Sequence, residues 1–156
     1  MDQGASFQKK QLTIDILICT MDKGIDKVEK MLMPLSTRIH YIISWQHSDE
    51  HNYILPKSLQ RDDVKVYIQK GRGLSKNRNN ALKYANSDIC LISDDDIIYN
   101  QGNIDALLEF YSKHPEVDVV TYQFETTYNH KDYPTKVFNL KNKPPHFNIS
   151  EFSINL

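Results

Sequence analysis

Residues 71–99, GRGLSKNRNNALKYANSDICLISDDDIIY, hold the side chains best suited to chemistry in this chain. An apolar run ends there on three consecutive aspartates, Asp94, Asp95 and Asp96. If the backbone stays extended, Asp94 and Asp96 point one way and Asp95 the other. Two carboxylates on one side of an open strand end are hard oxygen ligands, suited to Mg²⁺ or Mn²⁺ shared with a phosphorylated molecule. A lone acidic triplet more often just ends a strand or caps a helix, so its neighbours decide the matter. Upstream, Leu74, Ala81, Leu82 and Ala85 form the apolar stripe of a helix, and Arg78 falls on the same stripe. An inward arginine is costly unless a carboxylate or phosphate meets it. It can bind a ligand directly or brace Asp94 or Asp96.

The residues before that helix add an anion cradle. Gly71-Arg72-Gly73 and Ser75-Lys76 offer backbone N–H groups and basic side chains, with Ser75 as N-cap of a helix running to about residue 86. The pattern is neither a Walker loop nor the GxGxxG of dinucleotide folds. Thr20 and Asp22, after the first apolar run, can meet a nucleoside edge, although Asp22 serves equally well as a helix cap. Trp45 can stack on a base, but a single tryptophan more often packs. His47 and His51 sit four apart in a polar loop without zinc-like company, and the lysines between 131 and 143 read as solvated.

These groups need a frame. Residues 12–19, LTIDILIC, read as a strand buried on both faces, with Asp15 requiring a partner. A turn at 20–24 leads to a helix carrying Ile25, Val28, Leu32 and Leu35, with Pro34 at its end. Residues 39–45 are a second strand, 46–63 are irregular, and 64–69 are a third strand near an edge. The fourth, 89–93, precedes the aspartates. Asn103 caps a helix with Ile104, Leu107, Leu108 and Tyr111, and 117–124 form a fifth strand. Strands alternating with helices imply an α/β fold with a mainly parallel sheet. Ligands of such sheets lie beyond the strands' carboxyl ends.

Composition narrows the class. A chain of 156 residues is one domain with room for a core. A net charge of −1 argues against a nucleic-acid binder. No apolar run reaches the roughly 20 residues that span a bilayer, and the start, MDQGASFQKK, lacks the apolar centre of a signal peptide. Cys19 and Cys90 at apolar strand ends read as reduced core thiols. The expectation is a soluble cytoplasmic protein, compatible with a peripheral place on the inner membrane face.

The stretch GLSKNRNNALKYANSDICLISDDDIIY resembles the donor-binding signature of family 2 glycosyltransferases of the GT-A fold. Gly73, Ser75, Arg78 and Asn79 match its helix motif, Ser87-Asp88 its small-residue–Asp dipeptide, and Asp94 and Asp96 its D-x-D. ILICTMD resembles the opening strand, with nucleotide contacts at Thr20 and Asp22. The pieces span about residues 12–124. The resemblance implies a Rossmann-like GT-A sandwich holding a nucleotide-diphosphate sugar on a divalent cation, Mn²⁺ or Mg²⁺. Asp96 would ligate the metal, and Asp94 would share the ion or contact the sugar-nucleotide. Thr20, Asp22, Trp45, Gly73, Ser75, Arg78, Asp94 and Asp95 make up the implied nucleotide-sugar site. The reaction would be inverting transfer to a hydroxyl of a glycan or lipid-linked acceptor, a carboxylate base removing the proton.

Two departures stand out. The acidic pair expected after the second strand is replaced by Ser44-Trp45-Gln46-His47. The family's base and acceptor platform are expected beyond Leu156, so the fold reads as truncated at its C-terminus. The implied organisation is a lead-in at 1–11, a nucleotide-sugar-binding domain at 12–126, and the incomplete start of an acceptor region at 127–156. An open sheet edge near residue 150 would favour pairing between copies. A nucleotide- and metal-binding module without turnover is the alternative. A sugar-nucleotidyltransferase would need a glycine-rich loop at 20–24, and a phosphatase with an aspartate nucleophile would carry its acidic motif after the first strand. Neither feature is present.

Overall fold

A computed structural model of the chain describes residues 11–47, 53–121 and 136–138. It divides into two units, 1–108 and 109–156. The first is built on four parallel strands, β1 (Ile14–Met21), β2 (Ile39–His47), β3 (Val64–Lys70) and β4 (Ile89–Asp94), in the order β3-β2-β1-β4. This is the mixed α/β, Rossmann-like GT-A arrangement.

β1 owes its central place to its composition. Leu17 and Cys19 pack with Ile42 and Ala81 on one face, joined by Tyr67 and Ala85. Ile14, Ile16 and Ile18 alternate with them and are also fully buried. A strand covered on both faces needs this unbroken apolar run. β3 lies at an edge, as its alternating sequence implies. β4 is more open than its sequence suggests: Cys90 is exposed and Ile92 is 47% exposed. The reason is placement, since the helix that packs on this sheet face lies over β1, β2 and β3. Cys90 is therefore no core thiol, whereas Cys19 is.

The first helical segment is shorter and tighter than its periodicity implies. It comprises a 3₁₀ turn (Asp22–Gly24), α1 (Ile25–Val28) and a second 3₁₀ turn (Glu29–Met31). Ile25, Val28 and Met31 face inward, and Leu35 is exposed. Three-residue spacing replaces the i, i+4 step because a 3₁₀ turn closes every third residue. A further 3₁₀ turn (Lys57–Leu59) precedes β3.

α2 (Leu74–Leu82) begins at Gly73, so Ser75 lies within its first turn and is not its N-cap. Its buried face is Asn77, Asn80 and Ala81, while Leu74 and Leu82 are exposed. The stripe is thus rotated from the one the leucines suggest. The asparagines face strand ends whose polar groups need partners: Asn80 Nδ2 donates to Ser44 Oγ at 2.8 Å and Asn77 Nδ2 to the Thr20 carbonyl at 3.0 Å.

α3 (Gln101–Lys113) is capped by Asn100. The Asn103 N–H donates to Asn100 Oδ1 at 2.9 Å, and the Asn100 N–H donates back to Asn103 Oδ1 at 3.0 Å. Asn103 therefore completes a reciprocal cap one turn into the helix, and Ile104, Leu107 and Leu108 are buried.

In the second unit, β5 (Val119–Thr121) pairs antiparallel with β6 (Lys136–Phe138) in a separate two-stranded sheet. Of the expected fifth strand at 117–124, residues 119–121 form β5, 117 and 118 lie outside it, and 122–124 lie outside the described residues. The lead-in at 1–10, His51, and most of the expected acceptor region lie outside the described residues. No helix among the described residues is long and apolar enough to cross a membrane.

Candidate functional site

The turns that leave β1 to β4 meet at the carboxyl edge of the sheet, where a parallel sheet binds its ligands. Asp94 is the last residue of β4, in register with Cys19. Arg78 Nη2 donates to Asp94 Oδ1 at 3.0 Å, with side chains 38% and 48% exposed. Arg78 Nε is buried and has no hydrogen-bond partner. The expected carboxylate for the helix arginine is therefore Asp94, and the guanidinium lies at the margin of the core. Burial, opposed by Arg78 and aided by Asp94, pushes the Cys19 thiol up to about 11.

The strand ends at Asp94, and Asp95 and Asp96 form a turn. The simple alternation expected of an extended triplet is lost. Asp96 is exposed. Asp95 turns to the β1 exit, where Thr20 Oγ1 donates to its Oδ2 at 2.6 Å and Lys27 Nζ stands 3.6 Å from its Oδ1. A Cβ on Gly24 would run into Asp95 Oδ2 and Thr20 Oγ1. Neither Gly24 nor Lys27 is singled out by the sequence, although a glycine four residues after Thr20 was the available signal.

Asp22 adopts φ +49°, a rare conformation for a residue with a side chain. Its carbonyl accepts from Trp45 Nε1 at 2.9 Å, and its carboxylate faces Arg72 Nη2 at 3.3 Å. Trp45 is only 2% exposed, with ring centroids 4.6 Å from His47 and 5.8 Å from Tyr53. It supports the β1 exit turn from beneath and does not present an open stacking face. His47 belongs to this aromatic cluster and is not a freely solvated loop histidine. Burial, followed by the charge and hydrogen bond of Asp22, raises the Tyr53 phenol.

Beside these residues lies a groove lined by Met21, Asp22, Gln46, His47, Lys70, Gly71 and Arg72. Gln46 takes the place of the expected acidic pair, its Nε2 donating to the Gly73 carbonyl at 3.3 Å. Gly71 and Gly73 have φ +85° and +135°. Glycine is required at both because a Cβ would be strained there. Lys76 Nζ reaches back to the Lys70 carbonyl at 2.9 Å, which closes the loop at the start of α2.

The Ser87-Asp88 dipeptide lies at the other end of the sheet. Asp88 Oδ2 accepts from the Thr13 N–H and Oγ1, both at 3.0 Å. The Ser87 N–H and Oγ donate to Asp15 at 2.9 and 2.7 Å, and the Asn86 N–H donates at 2.6 Å. Asp15 thus finds its partners in Asn86 and Ser87, which is a structural tie.

A parallel α/β sheet with acidic, basic and glycine turns at its carboxyl edge is a Rossmann-like arrangement with its ligand-binding edge so equipped. Residues 28–153 match the family model described as glycosyl transferase family 2, and the chain belongs to that family. The match begins after β1, so Thr20 and Asp22 precede it, and it extends into the second unit. Comparisons with curated proteins and with solved structures return no match. Family membership implies glycosyl transfer between a nucleotide-sugar and an acceptor as the general activity.

No group of three or more His, Cys, Asp or Glu side chains placed for a metal occurs among the described residues. The ligands that are present still fit the ion this family often uses. Mg²⁺ keeps several waters and takes one or two carboxylates, with the substrate phosphates completing its shell. Asp96 is exposed and Asp94 half-exposed, its Oδ1 on Arg78, so both offer carboxylate oxygens of the type such an ion takes.

Proposed function

We propose that the chain binds a nucleotide-diphosphate sugar along the carboxyl edge of its parallel sheet and transfers the sugar, with inversion, to a glycan or lipid-linked hydroxyl. The observation that carries this reading is the half-exposed Arg78–Asp94 pair with exposed Asp96 at the exit of β4, on the same sheet edge as the groove at the exits of β1, β2 and β3. The nucleoside occupies the groove, where the Asp22 carboxylate, the Gln46 amide and Arg72 offer hydrogen bonds. Gly71, Gly73 and Ser75 bring backbone close to the diphosphate at the start of α2, where aligned N–H groups favour negative charge.

Asp96 and Asp94 hold the divalent cation, which when bound neutralises the diphosphate leaving group. Arg78 fixes the half-exposed Asp94 carboxylate through its Oδ1. Thr20 and Trp45, both buried, shape the exit of β1. No described residue is assigned as the base. We place the protein in the cytoplasm, a reading supported by two free cysteines.

Calorimetric titration of UDP, GDP and dTDP in Mn²⁺, repeated in EDTA, tests the proposal. Binding of one nucleotide that is lost in EDTA is the expected result. Binding of none in Mn²⁺, by a chain that melts cooperatively, overturns it.

A further inference from the structure

We propose that Asp95, the middle aspartate, is a positioning residue that locks the exit turn of β1 to the exit of β4 and so spaces the groove from the Asp94/Asp96 pair. The inference rests on the nucleotide-sugar reading and gives that site its internal geometry.

Both oxygens of Asp95 are engaged within the protein, and its side chain is 20% exposed. The Thr20 hydroxyl bond joins residues 75 apart in sequence, at 2.6 Å, with Thr20 itself buried. Thr20 is held from a second side, because its carbonyl accepts from Asn77 Nδ2 of α2. The strut therefore connects β4, β1 and the helix whose start borders the groove.

Gly24 shows how tightly this junction is built. Its φ of −56° is ordinary for any residue, so backbone freedom does not explain the glycine. Space does, since a side chain there would meet the two oxygens that form the strut. Between Thr20 and Gly24 the chain passes through Asp22 at φ +49°, a conformation that persists only where its surroundings hold it. Asp22 lines the groove, so a loosened strut is felt there as well as at the aspartates. Lys27 is mostly exposed and makes a minor, screened contribution. The hydrogen bond to Thr20 is the essential part.

This assignment separates Asp95 from its two neighbours. An amide at position 95 can still accept from Thr20, whereas a group that ligates a metal or substrate through its charge cannot be replaced in that way. The test uses the full chain and four variants, Asp95→Asn, Asp95→Ala, Thr20→Val and Thr20→Val/Asp95→Ala, with Mn²⁺-dependent binding of UDP, GDP and dTDP measured by calorimetry. Loss of one part-buried hydrogen bond predicts about tenfold weaker nucleotide binding for Asp95→Ala and for Thr20→Val, with no further loss in the double variant. Asp95→Asn stays within about threefold of the parent.

Urea unfolding of the same set, which needs no ligand, should show Thr20 and Asp95 coupled. Independent effects of the two substitutions on stability overturn the strut. Asp95→Asn as weak as Asp95→Ala, with Thr20→Val unchanged, overturns positioning in favour of direct ligation. A parent chain that binds none of the three nucleotides while Thr20 and Asp95 remain coupled overturns the nucleotide-sugar reading and the positioning role with it, leaving only the structural tie.

Discussion

The two ends of the parallel sheet solve opposite problems with the same residue types. At the amino end, Asp15 is buried and accepts three hydrogen bonds from Asn86 and Ser87, while Asp88 binds Thr13 twice. At the carboxyl end, Asp94 is half exposed and shares one oxygen with Arg78, and Asp96 lies open. Fully answered carboxylates close a fold, whereas partly answered ones keep bonding capacity for something that arrives. Asp95 has the first character although it sits at the second end. That contrast distinguishes structure from function more reliably than the identity of the residues.

The comparison is broken most directly at its open end. Asp96→Ala and Asp94→Ala should each slow sugar transfer on the order of 10²–10³-fold, the usual loss when one preorganised charge-stabilising group is removed. Their urea midpoints should stay near that of the parent. A large fall in stability instead would show that the aspartates hold the fold and that the two ends do not differ.

At the closed end the outcome reverses. Asp15→Ala deprives two N–H groups and a hydroxyl of their acceptor and should lower stability by about 2–4 kcal/mol in urea unfolding. Mn²⁺-dependent nucleotide affinity of the folded protein should be unchanged. Arg78→Ala falls between these cases. The exposure of its ion pair limits the stability change to roughly 1 kcal/mol or less. Nucleotide binding should weaken more than stability does, which calorimetry alongside a urea curve will show.

The smallest effect is invisible at neutral pH. The Cys19 thiol is raised from 9.0 to about 11, so the folded state holds its proton where the unfolded chain has lost it. Its contribution to stability is complete below pH 9.0 and disappears as the pH rises toward about 11. Cys19→Ala should flatten that part of the stability profile. A thiol-reactive disulfide at pH 8 should label exposed Cys90 rapidly and buried Cys19 only on unfolding.

Much of the frame was legible because its signals are local. The apolar runs locate β1 to β4 within a residue or two at most ends, and the alternation in VKVYIQ places β3 at an edge. Arg78 announces a carboxylate partner through the cost of burying a guanidinium, and Asp94 is that partner. The phase of α2 departs from the one its leucines indicate. The strand ends beneath it carry Ser44 and the Thr20 carbonyl, which asparagines answer better than leucines. The sequence leaves Trp45 open between stacking and packing, because its surroundings include Asp22 and Tyr53 from other parts of the chain as well as nearby His47.

By itself the sequence determined the strand segments, the glycine turns and the acidic strand end, since each depends on residues a few positions apart. Only the tertiary structure decided that Ser87-Asp88 ties the far end of the sheet and that Asp95 turns inward to Thr20. The register of β4 on β1 brings residues about 75 positions apart into hydrogen-bond contact at both ends. No local pattern encodes such a distance, because the partner of a carboxylate is chosen by which strand comes to lie beside it.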